Sequence, residues 1–110
     1  MNDIKTLVLP TNWLPKDMPH GWGNGYVGVP PGHPWFGKGY NDIDCSVHGG
    51  LTYGEHKAPT FEPDGYYWVG FDCHHRGDDE HNCPESYVRA EVESLRKQAE
   101  KAVDNVVFES

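Results

Sequence analysis

The chain has 110 residues and a formal net charge of −8 at pH 7, so it is long enough for one domain with a thin core. The acidic balance argues against partners that need a basic face, so we expect neither nucleic acid nor an anionic membrane as a partner. No stretch approaches the ~18 apolar residues of a membrane span, and the N-terminal apolar run stops at Pro10 without the features of a signal peptide. An odd number of cysteines predicts reduced thiols, which indicates a cytoplasmic protein.

The region before residue 85 is expected to hold short strands between loops, because the 13 glycines and nine prolines concentrate there. Residues 1–22 are predicted to form an extended N-terminal segment, with a short strand or turn at 4–9. Alternating side chains at 24–30 (NGYVGVP) predict a strand that Pro30 and Pro31 end.

Two later segments also have strand-like patterns. In residues 45–55 (CSVHGGLTYGE), strand-like residues lie on either side of Gly49 and Gly50, which fits a tight hairpin turn or a bulge. Residues 65–73 (GYYWVGFDC) alternate between two faces and follow a turn signal, so they are the clearest predicted strand.

The C-terminal region changes to a helical period. A helix is predicted at 84–104, with Asn82 or Cys83 as the cap at its start. Its apolar stripe consists of Val88, Val92, Leu95, Ala99, Ala102 and Val106. The predicted fold is therefore α+β: a small antiparallel sheet with long Gly/Pro-rich loops and one C-terminal amphipathic helix packed on it, in a single domain covering 1–110.

The loop at 30–45 (PPGHPWFGKGYNDIDC) is a candidate ligand site because it is long and rich in aromatic residues. Aromatic faces suit stacking on a planar base, and a lysine suits a phosphate. The candidate residues are His33, Trp35, Phe36, Lys38 and Tyr40. The alternative interpretation is an ordinary loop that covers the core.

A second candidate ligand site surrounds His48. Backbone N–H groups at Gly49 and Gly50 could face a ligand, and His48 could act as a general base or as a ligand acceptor beside a carboxylate. The candidate set is His48, Gly49, Gly50, Thr52, Asp72 and His75. The alternative is a half-buried histidine that a carboxylate holds in place.

The segment at 70–83 (GFDCHHRGDDEHNC) is dense in residue types that bind metals. Zinc takes Cys, His and carboxylate ligands in a tetrahedron, so Cys73, His75, His81 and Cys83 are the candidate zinc ligands. Their spacing matches no standard zinc motif, and the alternative is a buried Cys73 followed by a solvated turn. No nucleophile motif, P-loop or dinucleotide-binding fingerprint is present, so no catalytic residue is predicted.

Three stretches together, GYVGVPPGHPWFGKGY, DIDCSVHGGLTYGE and WVGFDCHHRGD, resemble a family of small uncharacterised proteins of bacteriophages and bacterial genomes. The shared motifs are Gly32-His33-Pro34, residues 47–52, and Phe71-Asp72-Cys73 with His75 and Gly77-Asp78. The resemblance implies a phage or prophage accessory protein in the bacterial cytoplasm. It implies no activity and no functional residues.

Three functional hypotheses follow. The first is a phage accessory binding protein that antagonises host defence by sequestering a nucleotide-like signal or by capping a host protein, and a homo-oligomer could form its pocket. The second is a small metal-assisted hydrolase of nucleotide-like substrates, in which His48, Asp72, His75 and Asp78 are ligands or acid/base groups. The third is a structural polar network that needs no ligand.

Overall fold

The computed structural model describes residues 3–11, 20–60 and 63–106. In chain order its elements are β1 (Lys5–Pro10), β2 (Gly23–Val29), a short 3-10 helix (Tyr40–Asp42), β3 (Tyr53–Glu55), β4 (Tyr67–Phe71) and α1 (Glu85–Val106). The strands form one four-stranded antiparallel sheet in the order β1-β2-β4-β3. This architecture confirms the predicted α+β class. Part of the predicted extended N-terminal segment, at 12–19, lies outside the described residues.

The central strands β2 and β4 are buried along their whole length. Their register places an aromatic ring opposite a glycine twice, with Trp68 facing Gly28 and Tyr26 facing Gly70. A Cβ on Gly28 would lie 2.7 Å from the Trp68 ring, and a Cβ on Gly70 would lie 2.3 Å from the Tyr26 ring. The rings therefore occupy the space that the glycines leave free, which lets a small sheet bury large side chains.

Successive side chains of β2 and β4 point to opposite faces of the sheet. Because both strands are buried along their whole length, both faces are covered. On the face under α1, Val27, Val29, Val69 and Phe71 share a core cluster with Val88, Val92, Leu95 and Ala99 of the helix. The opposite face carries an aromatic cluster of Tyr26, Tyr66 and Trp68 with Ala58. The predicted alternation of β4 is present, and so is the predicted stripe of the helix from Val88 to Ala102.

The helix α1 begins at Glu85 and extends to Val106, so it starts one residue later and ends two residues later than predicted. Asn82 does not cap it: the Asn82 Oδ1 accepts from the Asp79 N–H, and its Nδ2 donates to the Gly77 carbonyl. These bonds close the preceding loop instead. Among the described residues, no helix is both long and apolar enough to cross a membrane.

Only the second part of the strand-like segment 45–55 is a strand. The Thr52 N–H donates to the Gly70 carbonyl, and β3 then pairs with β4. The first part turns away at Gly49 and Gly50, which both have positive φ angles of 69° and 81°. Its backbone N–H groups bind side chains of α1 rather than a neighbouring strand, because the chain crosses to the helix there.

His33 fastens the loop after β2 to the helix. Its buried ring donates from Nε2 to the Ala99 carbonyl at 2.8 Å and accepts the Trp35 N–H on Nδ1 at 2.9 Å. Both ring nitrogens are used only when the imidazole is neutral. Burial accordingly lowers the pKa of His33 below its ordinary value of 6.5.

Replacement of His33 by leucine is expected to lower the free energy of unfolding by about 1–3 kcal/mol, because two buried backbone groups lose their partner. Urea denaturation at neutral pH measures the change. His81→Leu, at an exposed position, is the control and should change stability by less than about 0.5 kcal/mol.

The contribution of His33 should also depend on pH. The unfolded chain takes up a proton near pH 6.5 and the folded chain resists it, so the stability that His33 provides is lost as pH falls below 6.5. The difference between wild type and His33→Leu should therefore shrink from pH 7.5 to pH values below 6.5. A difference that is constant across this range would contradict the assignment.

Candidate metal centre

Two buried cysteines lie at the ends of the loop that joins β4 to α1. Cys73 is 0% exposed and Cys83 is 2% exposed. Residues 20–22 pass beside both: the Gly21 N–H donates to the Cys73 carbonyl at 2.7 Å, and the N–H of the half-buried Trp22 donates to the Cys83 carbonyl at 2.8 Å. These two bonds hold the ends of the loop together against the chain that enters β2.

The helix orients His48 towards the cysteines. The His48 N–H donates to Glu91 Oε1 at 2.8 Å, and the ring Nδ1 lies 2.9 Å from the Tyr87 hydroxyl. The Nε2 atom therefore points to the cluster, 3.8 Å from Cys83 Sγ. With a metal on Nε2, the Nδ1–H would donate to Tyr87, which is the arrangement that usually orients a histidine ligand.

Asp78 completes the cluster from the turn before the helix. Its two carboxylate oxygens each lie 3.1 Å from His48 Nε2, and Oδ1 lies 3.7 Å from Cys83 Sγ. The other side of the carboxylate is bound by His75, whose N–H donates to Oδ2 at 2.9 Å and whose ring Nδ1 lies 3.2 Å from it. Gly77, with a φ of 94°, makes the turn that directs Asp78 inward.

The four donor atoms of His48, Cys73, Asp78 and Cys83 all lie within 4.8 Å of one another. Tetrahedral coordination with ordinary Zn–S, Zn–N and Zn–O bond lengths separates neighbouring donors by about 3.3–3.8 Å. Three of the separations, 3.1, 3.7 and 3.8 Å, are close to that range, and none exceeds 4.8 Å. Small side-chain adjustments would therefore place one ion at the centre of the group.

The pKa shifts of the donors link metal binding at the cluster to proton release. Burial raises the pKa of the Cys73 thiol, and the neighbouring Cys83 raises it further. Burial and the carboxylate of Asp78 likewise raise the pKa of Cys83. Burial also opposes ionisation of Asp78, but hydrogen bonds from His48 and from the His75 backbone and ring outweigh it and lower the pKa of that carboxyl. A metal ion would stabilise two thiolates here and release their protons.

The structure brings together only two of the four candidate zinc ligands that were chosen by residue type in 70–83. Cys73 and Cys83 are in the cluster, whereas His75 binds the outer oxygen of Asp78 and His81 is an exposed residue of the turn. All three cysteines, including the half-buried Cys45, are free. The other two donors, His48 and Asp78, were candidates of the hydrolase hypothesis, so the cluster combines parts of two hypotheses.

The candidate ligand residues around His48 lie together. Gly49 lies against the His75 ring, where a Cβ would be 2.3 Å from a ring atom. The Thr52 hydroxyl donates to Asp72 Oδ2 at 3.1 Å, and Asp72 Oδ1 lies 3.6 Å from His75 Nδ1. Gly50 follows in the same turn, and its N–H donates to the Val47 carbonyl.

The aromatic loop lies elsewhere along the helix. His33 binds Ala99, whereas His48 binds Tyr87, so about 18 Å of helix separates the two contacts. Trp35 is buried in the core, and Phe36 packs on the Tyr67 and His56 rings. Of the five candidate residues in this loop, Lys38 and Tyr40 are exposed, and Tyr40 has 40% of its surface exposed.

Sequence reasoning missed the residues that position the donors. Tyr87 and Glu91 are four apart on one helix face and together orient His48. Gly21 was not singled out, although it lies between the cysteines. Tyr87 and Glu91 could have been found from the sequence, because they lie on a polar helix face beside the apolar stripe. Gly21 could not, because it contacts residues that are remote in the chain.

Gly21→Ala is expected to destabilise the protein by about 1–3 kcal/mol, because overpacking forces the backbone or the cysteines to move. Its Cβ would lie 2.5 Å from Cys73 Cβ and 2.7 Å from Cys83 Cβ. Gly39→Ala is the control, since its nearest neighbour would be 3.4 Å away and its φ is −58°. Thermal unfolding of both variants measures the effect, and equal midpoints would contradict the close packing at Gly21.

Comparisons with known proteins add no relative to this site. No family model matches the chain, no curated protein matches it, and no solved structure matches it. The geometry of the cluster therefore carries the functional argument.

Proposed function

We propose that this protein binds one zinc ion through His48, Cys73, Asp78 and Cys83, and that the ion holds the loops of the fold together. The observation that carries the proposal is the convergence of four donor atoms, within 4.8 Å of one another, on a largely buried point. Two thiols, an imidazole and a carboxylate seldom meet in a core unless they are paired or bind a metal.

The donor set favours zinc over other cations. Thiolates select soft or borderline ions, whereas Mg²⁺ and Ca²⁺ prefer six or more oxygen ligands. A mixed set of two sulfur atoms, one nitrogen and one oxygen in a tetrahedral arrangement is typical of zinc. Two thiolates and one carboxylate around a divalent ion also leave only a single net negative charge in the centre.

A structural role follows from where the ligands lie in the chain. His48 belongs to the turn before β3, Cys73 follows β4, and Asp78 and Cys83 precede α1. One ion would therefore link three segments that the small core holds only weakly. The free energy of zinc binding becomes folding free energy when the unfolded chain has no such site.

Purification without a histidine tag should give about one zinc per chain, measured by elemental analysis. His48→Ala and Cys83→Ser should lose the zinc, because each removes one donor. His81→Ala is the matched control and should retain the wild-type content, because His81 is exposed and outside the cluster. Zinc loss in His81→Ala with retention in His48→Ala would overturn the ligand set.

Removal of the ion should also unfold or destabilise the chain. Zinc at ~100 times its dissociation constant adds about 2.7 kcal/mol, so a chelator should lower the unfolding midpoint by about 10–20 °C. Added zinc should restore the midpoint. A protein that contains no zinc and keeps its midpoint in chelator would instead favour the polar network without a ligand.

The phage accessory role is a second proposal, independent of the metal. A nucleotide-like ligand has its best support at the exposed residues Lys38 and Tyr40 of one loop, since an ammonium group can bind a phosphate and an aromatic ring can stack on a base. Calorimetry with cyclic and ADP-ribose-type nucleotides tests it, with Tyr40→Ala as the variant expected to lose the heat. No heat with wild type would remove the nucleotide version, and a host protein recovered with the chain would favour capping.

A further inference from the structure

The four donors of the centre differ in their access to solvent. The two cysteines are fully buried, whereas the side chain of Asp78 is 9% exposed and that of His48 is 20% exposed. The His75 side chain beside them is 35% exposed. Solvent therefore approaches the cluster from the side of His48, Asp78 and His75, and the cysteines form its closed side.

Asp78 also differs in how it is held. Both oxygens lie 3.1 Å from His48 Nε2, but only Oδ1 also contacts Cys83 Sγ, on the side where a metal would lie. The other oxygen, Oδ2, receives the His75 N–H and lies within hydrogen-bonding distance of the His75 ring. A carboxylate that leaves the metal would keep these partners, so its charge would remain satisfied.

The two cysteines have no comparable alternative, and His48 is held in place through both its ring and its backbone. A thiolate that left the metal would be an uncompensated charge at a buried position, which is costly. The His48 ring is fixed by Tyr87 and by the backbone bond to Glu91, and its Nε2 faces the cluster. Ligand exchange would therefore occur at Asp78 before it occurred at the cysteines or at His48.

We propose that Asp78 is an exchangeable ligand and that its release opens one metal coordination position to water or a small monodentate anion. This inference rests on the proposed zinc site. The remaining set, Cys73, Cys83 and His48, is the Cys₂His combination that some catalytic zinc sites use with water in the fourth position. An anion that replaces the carboxylate preserves the charge of the coordination sphere.

Cobalt substitution tests the inference directly, because cobalt reports its ligands through charge-transfer and visible d–d bands. Wild-type protein is loaded with cobalt and titrated with thiocyanate. Saturable changes in the d–d bands, with the thiolate charge-transfer band retained, are expected. Bands that do not move at any thiocyanate concentration would overturn the inference, whereas failure to bind cobalt or zinc would overturn the proposed site itself.

Asp78→Asn gives the second measurement. The amide keeps the shape and can still accept the His75 N–H, but it is a poor metal ligand. The variant should still bind cobalt, and it should bind thiocyanate about tenfold more tightly than wild type, since no carboxylate competes. If it loses cobalt as Cys83→Ser does, Asp78 is a fixed ligand and the inference is wrong.

Asp72→Asn is the matched control. Asp72 is a neighbouring carboxylate on the same loop, contacts His75, and contributes no donor to the cluster. Its cobalt spectrum and its thiocyanate affinity should equal those of wild type. An equal tightening in both variants would assign the effect to surface charge and overturn the inference. If Asp78→Asn fails to fold, the thiocyanate titrations of cobalt-loaded wild type and Asp72→Asn still test whether a coordination position opens.

Discussion

The site depends on two backbone hydrogen bonds that join residues 20–22 to the carbonyls of Cys73 and Cys83. They bring the end of β4 and the start of α1 to the same short stretch of chain just before β2. The two sulfur atoms therefore meet because of main-chain pairing, and Gly21 is the residue that permits the close approach. A metal would bind to a geometry that the backbone already favours, so less of its binding free energy would be spent on ordering the loop.

The helix α1 has two roles on adjacent faces. Its apolar stripe covers the sheet, and Tyr87 and Glu91 fix His48. The core and the candidate centre therefore share one rigid element, which is the kind of support that precise ligand geometry needs. His33 repeats this arrangement near the other end of the helix without donors for a metal, since both its nitrogens bind the backbone.

The parts of the structure that could be predicted from the sequence are those with a local period. The alternation of β4 and the stripe of α1 are visible in neighbouring residues, and they give the fold class. The ligand set is not local: His48 is remote in the chain from Cys73, and its direction depends on the helix. Within 70–83 the spacing alone could not show that the turn at Gly77 directs Asp78 inward while His81 stays exposed.

The bond between Trp22 and Cys83 has an optical consequence. Trp35 and Trp68 are buried in the core, whereas Trp22 is half-buried, with the Arg89 guanidinium 5.9 Å from its ring. The backbone N–H of Trp22 donates to the carbonyl of Cys83, a candidate ligand. The environment of the indole would therefore change when the loop changes its conformation. Trp22 thus gives the molecule an intrinsic fluorophore beside the centre, whose emission would follow occupancy of the site without any attached label.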